Sequence, residues 1–155
     1  MQLKFRIILN VKEDVLRDIV TDSDITLMEF SKIISSEFGF DSTEISTFHH
    51  SNENWEQLDE IKIFKIDELD QIMDKTPISN FFLSKGDKLI YIYDFLNYWT
   101  FFIELFELDE SVKLDNYKCI NSVGEVPKNP PSDIFDVNSI KEDSDDLDFD
   151  DTFID

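Results

Sequence analysis

The chain has 155 residues and sets 35 acidic side chains against 14 basic ones, a formal net charge of -21. A surface that negative repels phosphate backbones at long range, which excludes unaided nucleic-acid binding and leaves either a basic protein partner or solubility alone as the purpose of the charge. The hydrophobic fraction of 41%, with 15 Phe, suffices for one core, while the absence of a signal-like leader or an apolar run of about 18 residues gives no membrane contact and a cytoplasmic location as the expectation.

Leu3, Phe5, Ile7 and Leu9 alternate with Lys4, Arg6 and Ile8, the pattern of a half-buried strand. Residues 10–14 supply turn chemistry, and 15–21 read as the returning strand of a hairpin. Asp24 or Thr26 then caps a helix running to Phe38. Leu27, Phe30, Ile33, Ile34 and Phe38 fall at helical spacing, Glu29 completes a capping box with Thr26, and Gly39 stops the helix. This helix is the expected cover of the sheet. Residues 44–50 and 61–66 read as two more strands, joined by the polar loop SNENWEQLDE, in which Trp55 is an anchor packed on the domain edge. Residues 67–75 read as a charged loop or single helical turn, and Thr76-Pro77 start a brief helical turn through Phe82.

The stretch from Gly86 to Leu108 is the longest run of strand-forming residues. It predicts strands over 88–95 and 99–108, with Asn97 as the turn residue most tolerant of a left-handed conformation. Leu89, Tyr91, Tyr93 and Phe95 share one face of the first strand, and Ile90, Ile92 and Asp94 the other. In the second, Phe102, Phe106 and Leu108 lie on one side and Trp99, Phe101, Ile103 and Leu105 on the opposite side. The order of elements predicts an α+β fold, a β-grasp, ubiquitin-like roll of about five to six strands with one main helix, in which the last core strand lies beside the first. The expected organisation is a domain over 1–110, an irregular proline-containing segment over 111–141, and an acidic tail over 142–155. That tail, EDSDDLDFDDTFID, has eight acids and no base, and self-repulsion is expected to keep it disordered.

The stretches FRIILNV, DITLMEFSKIISSEFGFDSTEISTF and LSKGDKLIYIYDFLNYWTFFIELFEL resemble the plasmid ORF-3-like family, first noted in an Ri plasmid and often labelled a transposon passenger protein of TnpR type. Tyr91, Tyr93, Asp94, Phe95 and Trp99 match its most specific element, a tyrosine-aspartate-phenylalanine strand followed by a tryptophan strand, and Ile103 and Glu104 match the strand that Trp99 opens. The resemblance covers residues 3–110, with an echo in Cys119, Gly124 and residues 130–133. The commoner pattern has Gly-Asp after that strand and histidines near the helix exit and after the tryptophan, where this chain has Leu96-Asn97, Glu44, Ser46 and Phe101. The resemblance implies a fold more than an activity.

A serine recombinase, which the TnpR label suggests, needs arginines around its nucleophile to hold the scissile phosphate. This chain has only Arg6 and Arg17, so the label reads as a record of genetic neighbourhood. His49 and His50 are adjacent strand residues pointing to opposite faces and cannot both reach one metal ion without a bulge. Cys119, with Lys118 as its sole basic neighbour in sequence, reads as an unreactive thiol. Asp143, Asp145, Asp146, Asp148 and Asp150 lack the glycine and distal glutamate of an EF-hand loop. No catalytic, cofactor or metal set emerges. In the tail, Leu147, Phe149, Phe153 and Ile154 alternate with acids, a pattern that suits either a solvating tail or a docking segment.

The candidate working part is a surface on the sheet face opposite the helix, formed by Ile8, Ile90, Ile92, Phe102 and Phe106. Either the Trp55 loop and the C-terminal segment cover it, or it meets a partner. The leading expectation is a non-catalytic protein-interaction module with an unknown, possibly basic, protein partner. The alternatives are an accessory factor of a mobile element that acts through a DNA-binding protein or mimics DNA charge, and an enzyme with a site near Asp94, Trp99 and Trp55.

Overall fold

The computed structural model describes residues 1–62, 67–69 and 71–131. Among these, the strands are β1 (Gln2–Leu9), β2 (Leu16–Asp22), β3 (Ser46–His50), β4 (Glu60–Ile61), β5 (Lys88–Tyr93), β6 (Trp99–Asp109) and β7 (Lys118–Val123), with one α-helix, α1 (Leu27–Phe38). The strands form a single sheet in the order β4-β3-β5-β6-β1-β2-β7, antiparallel at every pairing. The α+β class is as the sequence predicts. The adjacency expected of a β-grasp is not found: β6 lies between β5 and β1 and pairs with both. The physical reason is the short turn after Tyr93, which folds the longest strand straight back beside its predecessor and so fills the central position.

Alternation sets the two faces. Leu3, Phe5, Ile7 and Leu9 point into the core, while Ile8 is exposed on the outer face. Helix α1 lies over the inner face. Thr26 caps it through a reciprocal box, in which the Glu29 amide donates to Thr26 Oγ1 at 3.1 Å and the Thr26 amide to Glu29 Oε1 at 2.8 Å. At the other end Gly39 adopts φ +87° and the Phe40 amide closes onto Ser35 O at 2.7 Å. Beside the helix a 3-10 turn, Ile78–Asn80, follows Pro77 and brings Phe82 against Phe5, with ring centroids 4.7 Å apart. Phe30 meets Phe5 at 4.8 Å and Phe38 meets Phe101 at 4.8 Å, so the helix is joined to the sheet largely through aromatic rings.

Several boundaries differ from expectation for identifiable reasons. The strand predicted over 61–66 appears as the two-residue β4, and residues 63–66 lie outside the described residues. The left-handed turn residues are Asp94 (φ +65°) and Tyr98 (φ +55°), not Asn97. A register shift opposite Lys4 and Phe5 places one extra residue in β6, so Leu105 pairs with Phe5 but Leu108 pairs with Leu3. Leu108 therefore packs against the core and not beside Phe102 and Phe106.

The segment read as irregular contains β7. Its largely exposed residues gave no alternation to detect. It is held by Arg17, whose Nη1 donates to Val123 O at 2.8 Å, and by Asn121, whose Nδ2 donates to Asp18 Oδ2 at 3.1 Å.

Gly124, just past β7, has φ +75°, and a Cβ there would meet Asp14 O at 2.0 Å, a contact with backbone that no rotamer can relieve. Gly86 has φ +98° with nothing within 4 Å of its Cβ position. Gly86→Ala is therefore expected to cost only the left-handed strain of about 1–2 kcal/mol. Gly124→Ala should cost clearly more and loosen β7, read as a lower urea midpoint and faster amide exchange at Lys118–Val123. Equal losses for the two variants would contradict this account.

Candidate functional site

Strand register lays out the outer face in rows. His49, Ile90, Phe102, Ile8, Leu16 and Val123 stand side by side from β3 to β7. The adjacent row is polar: Lys88, Glu104, Arg6, Asp18 and Asn121. Within it Arg6 grips Asp18 through two bonds of 2.8 Å, and Lys88 lies 4.0 Å from Glu104.

This layout corrects part of the expected surface. Ile90 and Ile92 are only 2% and 1% exposed. The cover is the loop 51–59. Trp55 packs on Phe102 with centroids 5.0 Å apart and sits 5.4 Å from Lys88 Nζ, while Gln57 Nε2 donates to Tyr98 Oη at 3.2 Å and Leu58 bonds to His50 O at 2.9 Å. The loop thus crosses β5 on its outer side and seals both isoleucines beneath it. Trp55 is an anchor as expected, but on the sheet face and not the domain edge. Among the described residues, Ile8 at 39% and Val123 at 40% exposure stay open in this row, flanked by half-buried Leu16, Phe102 and Phe106. Phe106 sits in the β6 irregularity with the Arg6 guanidinium 6.0 Å from its ring.

The family-motif residues lie at the opposite side and end of the sheet. Tyr91 and Tyr93 face inward. Tyr93 Oη donates to Asp41 Oδ1 at 2.9 Å and accepts from the Glu44 amide at 3.3 Å. The hydroxyls of Thr43 and then Tyr93 hold the Asp41 carboxyl below the usual carboxylate range. Asp94 is a turn residue: its carboxylate accepts from the Leu96 amide and the Asn97 side chain, and its own amide donates to Ile45 O at 2.9 Å. Phe95 leaves the strand and is half exposed. Trp99 is buried under Phe40, with centroids 5.3 Å apart. Tyr93, Asp94 and Trp99 border an open groove of about 530 Å³ crossed by Lys128 and Pro130. Trp55, which the enzyme hypothesis placed with them, is on the other face of the sheet.

On the helix side of Tyr93 is a smaller cavity of about 200 Å³ between α1 and strands β3 and β5. Ser35 Oγ and Tyr91 Oη are 3.2 Å apart at its buried end. Burial pushes the Tyr91 phenol up, partly offset by the hydroxyls of Ser35, Ser46 and Ser31. Sequence reasoning did not find this cavity, although its signal was present: Ser31 and Ser35 fall four apart among the apolar positions of the helix, where a serine must find a polar partner.

The remaining candidates have structural roles. Both arginines are committed: Arg6 to Asp18, and Arg17 to the carbonyls of Glu37, Leu16 and Val123 with its guanidinium 5.0 Å from the Phe38 ring. Cys119 is partly buried, and that burial, followed by the nearby Glu37 carboxylate, pushes its thiol up. His49 bonds to Thr47 and Leu58 O, and His50 packs toward Phe81. The tail carboxylates and Leu147, Phe149, Phe153 and Ile154 lie outside the described residues.

Comparison with known proteins agrees with the family resemblance. The family model described as plasmid pRiA4b ORF-3-like protein matches residues 1–148. No curated protein matches the chain. Among solved structures, the protein of unknown function MM3350 from Methanosarcina mazei Go1 is similar, with 19% identity and a TM-score of 0.61 over 82% of this chain and 73% of that one; at that identity the likeness is one of fold.

The Arg6–Asp18 pair makes a pH prediction. The hydrogen bond from Arg6 depresses the Asp18 carboxyl against the opposing effect of burial, with Asn121 helping. A folded value below the unfolded one, about 3.9, contributes stability that is complete above that pH and is lost as pH falls through the folded value. Arg6→Gln should therefore be less stable than wild type at neutral pH, with a deficit that narrows below about pH 4. Urea unfolding across that range checks it, and a pH-independent deficit would count against the pair.

Proposed function

The chain belongs to the plasmid pRiA4b ORF-3-like protein family, and on that premise we propose that it is a protein-binding module that docks a basic protein through the open part of its outer sheet face. The observation that carries this reading is the apolar row Phe102, Ile8, Leu16 and Val123, contiguous across four strands and incompletely covered. A contiguous apolar strip framed by polar side chains is the usual mark of an interaction surface. Charge selects the occupant: at -21 the chain attracts a cationic surface and repels another acidic one. Binding is favoured over chemistry because Asp41 and Asp94 are engaged in turns, Arg6 in an ion pair and Arg17 with the carbonyls of Glu37, Leu16 and Val123.

The acidic tail supplies a second, electrostatic contact. Taking its eight acids from -21 leaves -13 on residues 1–141, so the tail and the rest of the chain carry charge of the same sign and a basic partner would be attracted by both. The same charge favours a second reading, an accessory factor of a mobile element that engages a DNA-binding protein or imitates DNA. The two readings share a basic partner and differ in which part of the chain dominates.

Co-purification from native extract should recover a partner with wild type, and Ile8→Asp/Val123→Asp should weaken its recovery by about tenfold or more while circular dichroism shows the domain folded. Truncation after Lys141 should remove the salt-sensitive part of the binding. Unchanged recovery with the folded double variant would remove the face from the account. Loss confined to the truncation would favour the charge-imitation reading.

A further inference from the structure

The cavity beside α1 is independent of the outer face and has the build of a ligand site. We infer that it binds a small neutral molecule, a six-membered ring bearing one hydroxyl, with the hydroxyl seated on the Ser35 and Tyr91 side chains. Size is the first ground. A dry cavity of roughly 150 Å³ takes up benzene, and this one, at about 200 Å³, has room for a ring with one or two small substituents. Chemistry is the second. Its buried end holds Ser31, Ser35 and Tyr91, all at most 5% exposed. Hydroxyls both donate and accept, so the Ser35–Tyr91 pair can open to insert a third hydroxyl without stranding either member.

The walls are the third ground. Met28 and Met73 line the cavity, and thioether side chains adjust to a ring at low cost. Among the described lining residues, charged groups occur only toward solvent, where Lys32 and Glu44 are exposed beside Ile45, itself 61% exposed. A carboxylate or ammonium driven to the buried end would meet no counter-charge, which selects a neutral head. The raised Tyr91 phenol reports the same low-polarity surroundings.

Titration of the full chain with p-cresol, toluene and 4-methylbenzoate, followed by amide chemical shifts, tests the assignment. Saturable shifts with p-cresol are expected at Ser31, Ser35 and Tyr91, with toluene about tenfold weaker, as for the loss of one buried hydrogen bond, and 4-methylbenzoate weaker still. Tyr91→Phe should bring p-cresol to the level of toluene and leave toluene unchanged. Ser35→Ala provides the same comparison should Tyr91→Phe fail to fold, and Ile8→Asp/Val123→Asp should change nothing. N-acetyltyrosinamide separates two sources of the same chemistry: binding as tight as p-cresol assigns the site to a partner's tyrosine side chain, and no binding assigns it to a free small molecule. Equal affinity for p-cresol and toluene, tighter binding of 4-methylbenzoate, or no saturable binding by the folded protein would each overturn the inference.

Discussion

Among the described residues one α-helix has to cover a seven-stranded sheet, and most of this structure follows from how that shortfall is met. Six inter-strand spacings make the sheet about 29 Å wide, whereas a helix with its side chains is about 10–12 Å across. Aromatic rings supply the extra reach. Phe5 meets Phe30 from the helix and Phe82 from the 3-10 segment, and Phe40, just past the helix, extends over Tyr93 and Trp99. The two flanks of the helix are then closed differently. Toward β2 and β7, the Arg17 guanidinium under Phe38 and the Tyr117–Glu37 hydrogen bond of 2.7 Å seal the edge. Toward β3, the fill is two methionines and a group of hydroxyls, and there the packing leaves space.

Among the described residues the outer face carries no helix, and it is divided instead. The loop carrying Trp55 closes over Ile90 and Ile92, each of which gains roughly 1.5–3 kcal/mol by leaving water. It stops at Phe102, where the indole finds an aromatic partner and Lys88 supplies a cation beside it. The Arg6–Asp18–Asn121 chain then ties β1, β2 and β7 into one surface without covering the apolar row next to it. Beside this polar ladder Ile8 and Val123 remain partly exposed among the described residues.

Local chemistry was legible in the sequence and long-range order was not. The Thr26–Glu29 box and Gly39 delimit α1 because caps are encoded within four residues. Tyr91 and Tyr93 fall on the covered face because alternation alone decides it. The position of β6 between β5 and β1 depends on which edges pair, and no local pattern carries that. The inward turn of Leu108 depends on one extra residue in β6, which shifts the parity of everything after it. β7 escaped notice because an exposed edge strand is held by backbone pairing and by Arg17, not by an apolar stripe. The surface residues Ile90 and Ile92 were placed on the correct face, but a loop's course over that face is set by contacts such as Trp55 on Phe102 that periodicity does not predict.

The tyrosine-aspartate stretch at the end of β5 gains a physical meaning from this geometry. Asp94 holds a left-handed turn with its own carboxylate, which fixes where β5 ends and hence where Tyr93 and Tyr91 stand beneath the helix. Tyr93 is clamped between Asp41 and the Glu44 amide, and so forms the wall shared by the groove near Trp99 and the cavity near Ser35. The motif is thus a frame that positions hydroxyls against a helix flank. Glu44 and Ser46 line that same cavity. This part of the lining presents hydroxyl and carboxylate oxygens. Tyr93 is the frame, and the space on its helix side is lined by the hydroxyls of Ser31, Ser35, Ser46 and Tyr91.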